Sequence, residues 1–231
     1  MIERRPFAGL GGADHGWLRA KHHFSFANYH DPERMGWGNL RVWNDDEIAA
    51  KAGFPPHPHA DMEIITYVRD GAITHKDSMG NTGRTEAGDV QVMSAGSGVR
   101  HSEYNQETGT TRIFQIWIQP RTHGGTPSWG ARPFPKAERS GRFITLASGF
   151  GEDDALPIRA DARVMGATVK AGERITLTLD PSRHAYLVPA TGAVDVGGVR
   201  IEARDGAAIT DLKTVEIVGI DDAEVILVDA A

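Results

Sequence analysis

Two histidine-bearing pairs hold the chemistry available to this chain. His57 and His59 stand one residue apart in PPHPHADMEI, residues 55–64, fenced by prolines and followed by Asp61 and Glu63. His101 and Glu103 stand in the same i, i+2 relation near the end of GDVQVMSAGSGVRHSEYN, residues 88–105. On a strand, residues i and i+2 project from one face, roughly 6–7 Å apart along the chain. Two such pairs on neighbouring strands can converge on a single ion. Their donors would be three imidazole nitrogens and one carboxylate oxygen, a set that suits Fe(II), zinc, nickel, copper or manganese rather than calcium. Four donors on a six-coordinate ion leave two positions for water, dioxygen or a chelating substrate. A structural zinc site would more often be closed and contain cysteine, and this chain has none. Taken singly, HPHAD has a bland alternative, a polar surface turn, and HSE has one too, a capping or loop segment. Together, each beside a β-pattern, they read as a metal site.

The elements that must position these pairs are strands. MEIITYV (62–68), DVQVM (89–93), RIFQIWIQ (112–119), ERITLTL (173–179), AYLV (185–188), AVDVGGVRIEA (193–203), TVEIVGI (214–220) and AEVILVD (223–229) have strand patterns. Gly197-Gly198 between two such runs predicts a tight hairpin. One helix is expected, NDDEIAAKAG at 44–53, with Asn44 as cap, Glu47 at the capping-box position and Gly53 as stop. A loose repeat relates the two halves. Tyr67–Gly71 followed by Glu86–Val90 resembles Leu187–Gly192 followed by Glu202–Gly206. The expected fold is all-β: two jelly-roll-like β-barrel lobes with a few short helices. They divide as residues 1–130, holding the metal, and 131–231, with the join inside the Pro- and Gly-rich stretch 126–142.

Composition narrows the function. A net charge of −6 with no Lys/Arg block argues against direct nucleic-acid binding. The absence of cysteine removes disulfides, thiolate metal sites and cysteine nucleophiles, and it agrees with a cytoplasmic location. The N-terminus lacks the apolar core of a signal peptide, and runs such as VILV (225–228) are too short to span a membrane. GLGG at 9–12 neither follows a strand nor opens a helix, so it is no dinucleotide signature. No phosphate loop, serine elbow or glycosidase carboxylate pair is present.

These motifs resemble the cupin superfamily. His57-Pro58-His59 and Glu63 with Gly71 follow its first motif; Gly88, Ala95-Gly96, His101 and Asn105 follow its second. HHFSFANY (22–29), ITHKDSMGNTG (73–83) and AGDVQVMSAGSGVRHSE (87–103) are similar to the pirin family and its quercetin 2,3-dioxygenase-like members. The resemblance is strong to about residue 121 and weaker beyond. It implies a bicupin with one metal, usually iron, in the N-terminal barrel, on His57, His59, His101 and Glu103. It implies a dioxygenase that cleaves flavonols such as quercetin with dioxygen, Glu103 also serving as base. The alternative it carries is a non-enzymatic, iron-dependent, redox-sensing regulator of a protein partner. A monomer is expected.

Other residues take lesser expectations. Glu63 shares strand parity with His57 and His59, so ligation is geometrically open. In germin-like cupins that acid is a ligand, whereas pirin-like members resemble this chain in using Glu103. In the second lobe the corresponding positions are Thr178, Asp180 and His184, and no ligand set survives. His22, His23, His75 and Asp77 are read as packing or pocket-edge residues. Gln115 and Trp117 share a face that could line the barrel.

Overall fold

The structure, a computed structural model, describes residues 1–151 and 154–231. Two lobes of like construction each pair a seven-stranded sheet with a four-stranded one. In the first lobe the small sheet runs Gly53–His59, Val99–Tyr104, Ala72–Asp77, Thr82–Glu86 in spatial order. The large sheet runs Ser128–Arg132, Val90–Ser94, Glu63–Asp70, Thr111–Ile118, Leu40–Ile48, Leu18–His22, Gly11–Asp14. The second lobe repeats the plan, and the Gly197-Gly198 hairpin forms as expected between Val194–Val196 and Val199–Ile201. Ile2–Arg5 pairs with Gly206–Ile209, so the first residues of the chain complete the second lobe's large sheet. Among the described residues helix is confined to three short 3-10 segments.

The helix expected over 44–53 is absent. Leu40–Ile48 is a strand, followed by a turn in which Lys51 takes a φ of +59°. A helix cap contributes about 1 kcal/mol. Against that, this strand pairs with Thr111–Ile118 on one edge and Leu18–His22 on the other, and it buries Leu40, Val42, Trp43 and Ile48. Tertiary pairing overrides the local signal. The acids that mimicked a helical first turn are bound in place: Asp45, fully buried, is clasped by Arg69 and by Arg204 of the other lobe.

The two large sheets face one another. A continuous apolar core joins Trp43, Ile65, Tyr67, Phe114 and Ile116 of the first lobe to Leu146, Val164, Tyr186, Val188 and Ile226 of the second. Inside the second lobe a further apolar cluster, including Leu187, Val194, Ile217 and Leu227, fills the barrel. The first lobe instead has two small clusters, one around Ile48 and Ile113 and one around Ile64 and Met93. Its remaining buried positions are polar: His75, His101, Glu103, Thr66, Gln91, Gln115, Asn44 and Asp46. That unequal filling gives one lobe a site and the other a packed core.

Candidate metal centre

Strand register brings the donors together. Within the small sheet His101 lies directly opposite His57, and Val99 opposite His59. Across its other edge His101 faces Asp77 and Glu103 faces His75. Donor atoms of His57, His59 and His101 all lie within 4.8 Å of one another, as do those of His75, His101 and Glu103. The expected quartet is therefore divided. Three histidines form one triad, and Glu103 joins His101 through a second, wholly buried triad that includes His75. Among the described residues no such group occurs in the second lobe.

Hydrogen bonding assigns the tautomers. Asp77 is surrounded by donors: the backbone N–H groups of Met79 at 2.9 Å and Asn81 at 3.0 Å, and the Asn81 amide at 2.9 Å. Burial pushes its carboxyl up, but the bonds from His75, Asn81 and Met79 outweigh burial and hold it below the usual carboxylate range. Asp77 therefore accepts, at 3.0 Å, the Nε2–H of His75. His75 Nδ1 is left as an acceptor for His101 Nδ1–H, a long bond of 3.4 Å. His101 Nε2 is then a bare lone pair. It points at His57 Nε2, 3.1 Å away, and His57 gives its Nδ1–H to the Pro55 carbonyl at 2.7 Å. Two imidazole lone pairs held face to face repel unless a cation lies between them. The donor set thus fits a divalent transition ion, and the groups behind it would orient its ligands. Burial first, then His57, His59 and His75, depress the His101 pKa to about 2. Burial and His57 take His59 down to about 4. Both rings are neutral at physiological pH, as ligation requires.

Glu103 sits in a cage of neutral donors. Its Oε1 accepts from Thr66 Oγ1 at 3.1 Å and Gln91 Nε2 at 2.7 Å; its Oε2 accepts from Gln115 Nε2 at 2.7 Å. Burial raises its proton affinity, while His75 and these bonds pull the other way. The cage is a row of side chains across the large sheet: Gln91 lies opposite Thr66, Thr66 opposite Gln115, Gln115 opposite Asn44, and Asn44 opposite His22. Gln115 also accepts from Trp117 Nε1 at 3.2 Å, so both do line the barrel interior. The Trp117 ring meets His59 edge-on at 5.0 Å. Trp129 stacks on His75 with centroids 4.8 Å apart at 10°. Gly83 permits this, since a Cβ there would run into the Trp129 ring.

Glu63 departs from the parity expected of it. The chain turns at Asp61, with φ of +52°, and Glu63 opens the next strand in the other sheet. Its Oε2 accepts from Ser94 Oγ at 2.6 Å and from the Arg159 N–H at 3.1 Å, tying the two lobes together. His22 bonds Asn44 at 2.8 Å and His23 bonds Tyr186 at 2.9 Å. His184 packs edge-on against Trp37, and Asp180 accepts from Ser182. Sequence reading missed Thr66, Gln91, Asn44 and Asp46. Thr66 and Gln91 did leave a trace, as single polar residues inside otherwise apolar strand runs.

Two barrels, one packed and one carrying a histidine-rich polar centre, define a bicupin whose candidate metal donors, among the described residues, all lie in one lobe. The chain belongs to the pirin family. That family's profile, Pirin, matches residues 4–118, and a profile described as Quercetinase C-terminal cupin domain matches residues 145–230. A pirin-like protein of Caulobacter vibrioides is 70% identical, with 100% of both chains covered. The quercetin 2,3-dioxygenase of Escherichia coli K12 is 41% identical across 99% of this chain and 98% of its own. The nickel(II) complex of the bacterial pirin YhhW from Escherichia coli superposes with a TM-score of 0.94 at 39% identity, covering 100% of this chain and 99% of that one.

Proposed function

We propose that this protein is a metal-dependent dioxygenase that opens the heterocycle of flavonols such as quercetin. The observation that carries the proposal is the convergence of the donor nitrogens of His57, His59 and His101, with the Nε2 atoms of His57 and His101 3.1 Å apart and the buried carboxylate of Glu103 beside them. The 41% identical relative named quercetin 2,3-dioxygenase supplies the substrate class. Residues 1–130 would perform the chemistry and 131–231 would brace it. His57, His59 and His101 would hold the ion, with Glu103 as fourth donor after releasing one of its amide partners. Fe(II) is the metal we propose, as the pirin resemblance implies; zinc, nickel, copper and manganese suit the same donors. Once bound, the ion would supply Lewis acidity toward the flavonol 3-hydroxyl and bring dioxygen alongside.

The chain's own groups do the rest. Glu103 takes the 3-hydroxyl proton, and its burial-raised proton affinity suits a base. The amide that Glu103 keeps, from Gln91 or Gln115, holds that carboxylate in place, and Gln115 is itself pinned by Trp117. Phe26 meets Trp117 edge-on at 5.4 Å, giving a flat substrate an aromatic wall. Flavonol and one dioxygen molecule are together converted to a depside and carbon monoxide, with every atom retained.

The test combines elemental analysis of protein purified without added metal with quercetin-dependent oxygen uptake and carbon monoxide release. Saturable uptake matched by carbon monoxide supports the reading. Full metal occupancy with no flavonol-dependent uptake would overturn it and favour the regulatory alternative.

A further inference from the structure

Asp46 plays no part in the chemistry above, yet its position asks for a partner. It lies two residues from Asn44 on the strand Leu40–Ile48, so it shares the face that looks into the first lobe. The residue is 2% exposed, and its Oδ1 is buried with no hydrogen-bond partner. Asp45 differs: it points the other way and is satisfied by Arg69 and Arg204. An unmade hydrogen bond at a buried polar atom costs about 1–3 kcal/mol.

Asp46 borders a cavity of about 70 Å³ lined also by His22, Phe26, Asn44, Phe54 and Gln115. Gln115 is shared with the base, since its amide donates to Glu103 at 2.7 Å. Phe26 is shared with the aromatic wall through Trp117. The cavity is too small for a three-ring flavonol and takes the end of one ring. Burial first, then the charges of Asp45 and Glu103, push the Asp46 carboxyl well above its usual range, and its unpartnered Oδ1 is free to take a hydrogen bond from a ligand hydroxyl. The same neighbouring charges would repel a carboxylate or phosphate. A neutral, hydroxylated aromatic ring matches both the polarity and the walls.

We propose that Asp46 anchors a hydroxyl on the substrate ring remote from the metal donors, and so selects hydroxylated aromatic substrates. The inference rests on the flavonol reading and adds a specificity residue to it. The test is anaerobic binding to the metal-loaded protein, followed by quenching of tryptophan fluorescence, with quercetin and with 3-hydroxyflavone, which lacks the other ring hydroxyls. Wild-type protein should prefer quercetin. Asp46→Leu should lower the quercetin to 3-hydroxyflavone affinity ratio about tenfold, the worth of one buried hydrogen bond, and Asp46→Asn should restore most of it. An unchanged ratio in Asp46→Leu would overturn the inference. So would equal affinity of the wild type for the two flavonols, a result that needs no variant to fold. Metal-loaded wild type that binds neither flavonol would defeat the flavonol reading itself and this inference with it. Loss of the ratio effect alone leaves that reading standing.

Discussion

Replacing Asp77 by Asn should weaken metal binding although Asp77 belongs to neither donor triad. The carboxylate accepts four hydrogen bonds, from His75 Nε2, the Asn81 amide and two backbone N–H groups. An amide can serve only one side of that arrangement. If its oxygen stays with the two backbone donors, its NH2 faces His75, which must turn Nε2 into an acceptor and move the proton to Nδ1. His101 Nδ1 then has to accept, and the proton moves to His101 Nε2, where it occupies the lone pair aimed at His57. If the amide is reversed instead, two backbone donors lose their acceptor at a cost of about 1–3 kcal/mol. Loss of a ligand-orienting partner typically lowers metal affinity 10–100-fold, about 1.4–2.7 kcal/mol. Competition titration with a chromophoric chelator, using Ni(II) and Zn(II), reads this directly. His75→Phe, which keeps an aromatic ring against Trp129, should show a loss of similar size. Affinity within about twofold of wild type in a stably folded Asp77→Asn protein would refute the relay. Near-total loss in His75→Phe beside a normal Asp77→Asn would make His75 a ligand in its own right.

Three further outcomes are expected. Glu103→Gln should retain most of the metal but lower flavonol turnover about 10²–10⁴-fold, the usual worth of a general base; oxygen uptake normalised to metal content checks it, and normal turnover at full occupancy removes the base role. Glu224 accepts from Tyr67 and Arg139, and Arg139 is fully buried, so Glu224→Leu should destabilise by about 3–5 kcal/mol through an uncompensated charge; a loss below about 1 kcal/mol in urea unfolding would contradict this. Burial first, then Arg5 and Arg34, depress the buried His23 to about 3. The unfolded chain therefore takes up that proton first, so stability is full above about pH 6.5 and falls toward pH 3, by about 1.4 kcal/mol per pH unit for this group. In His23→Gln the slope should be shallower by one proton, and an identical slope would assign acid lability elsewhere.

The sequence by itself determined the strands with unbroken alternation, the Gly197-Gly198 hairpin, the all-β class and the two pairs His57/His59 and His101/Glu103. Those signals are local: the pleat repeats every two residues, and a ligand pair at i, i+2 is visible within one strand. Tertiary structure alone decided that Leu40–Ile48 is a strand, because pairing on both edges outweighs a cap. It alone placed Glu63 in the other sheet and brought His75 and Asp77 behind His101. It also assembled Gln91, Thr66, Gln115 and Asn44 into a row from four separate strands and left Asp46 facing a cavity. Each of these depends on register between segments tens of residues apart, and a single strand's sequence carries no record of which residue will lie opposite it.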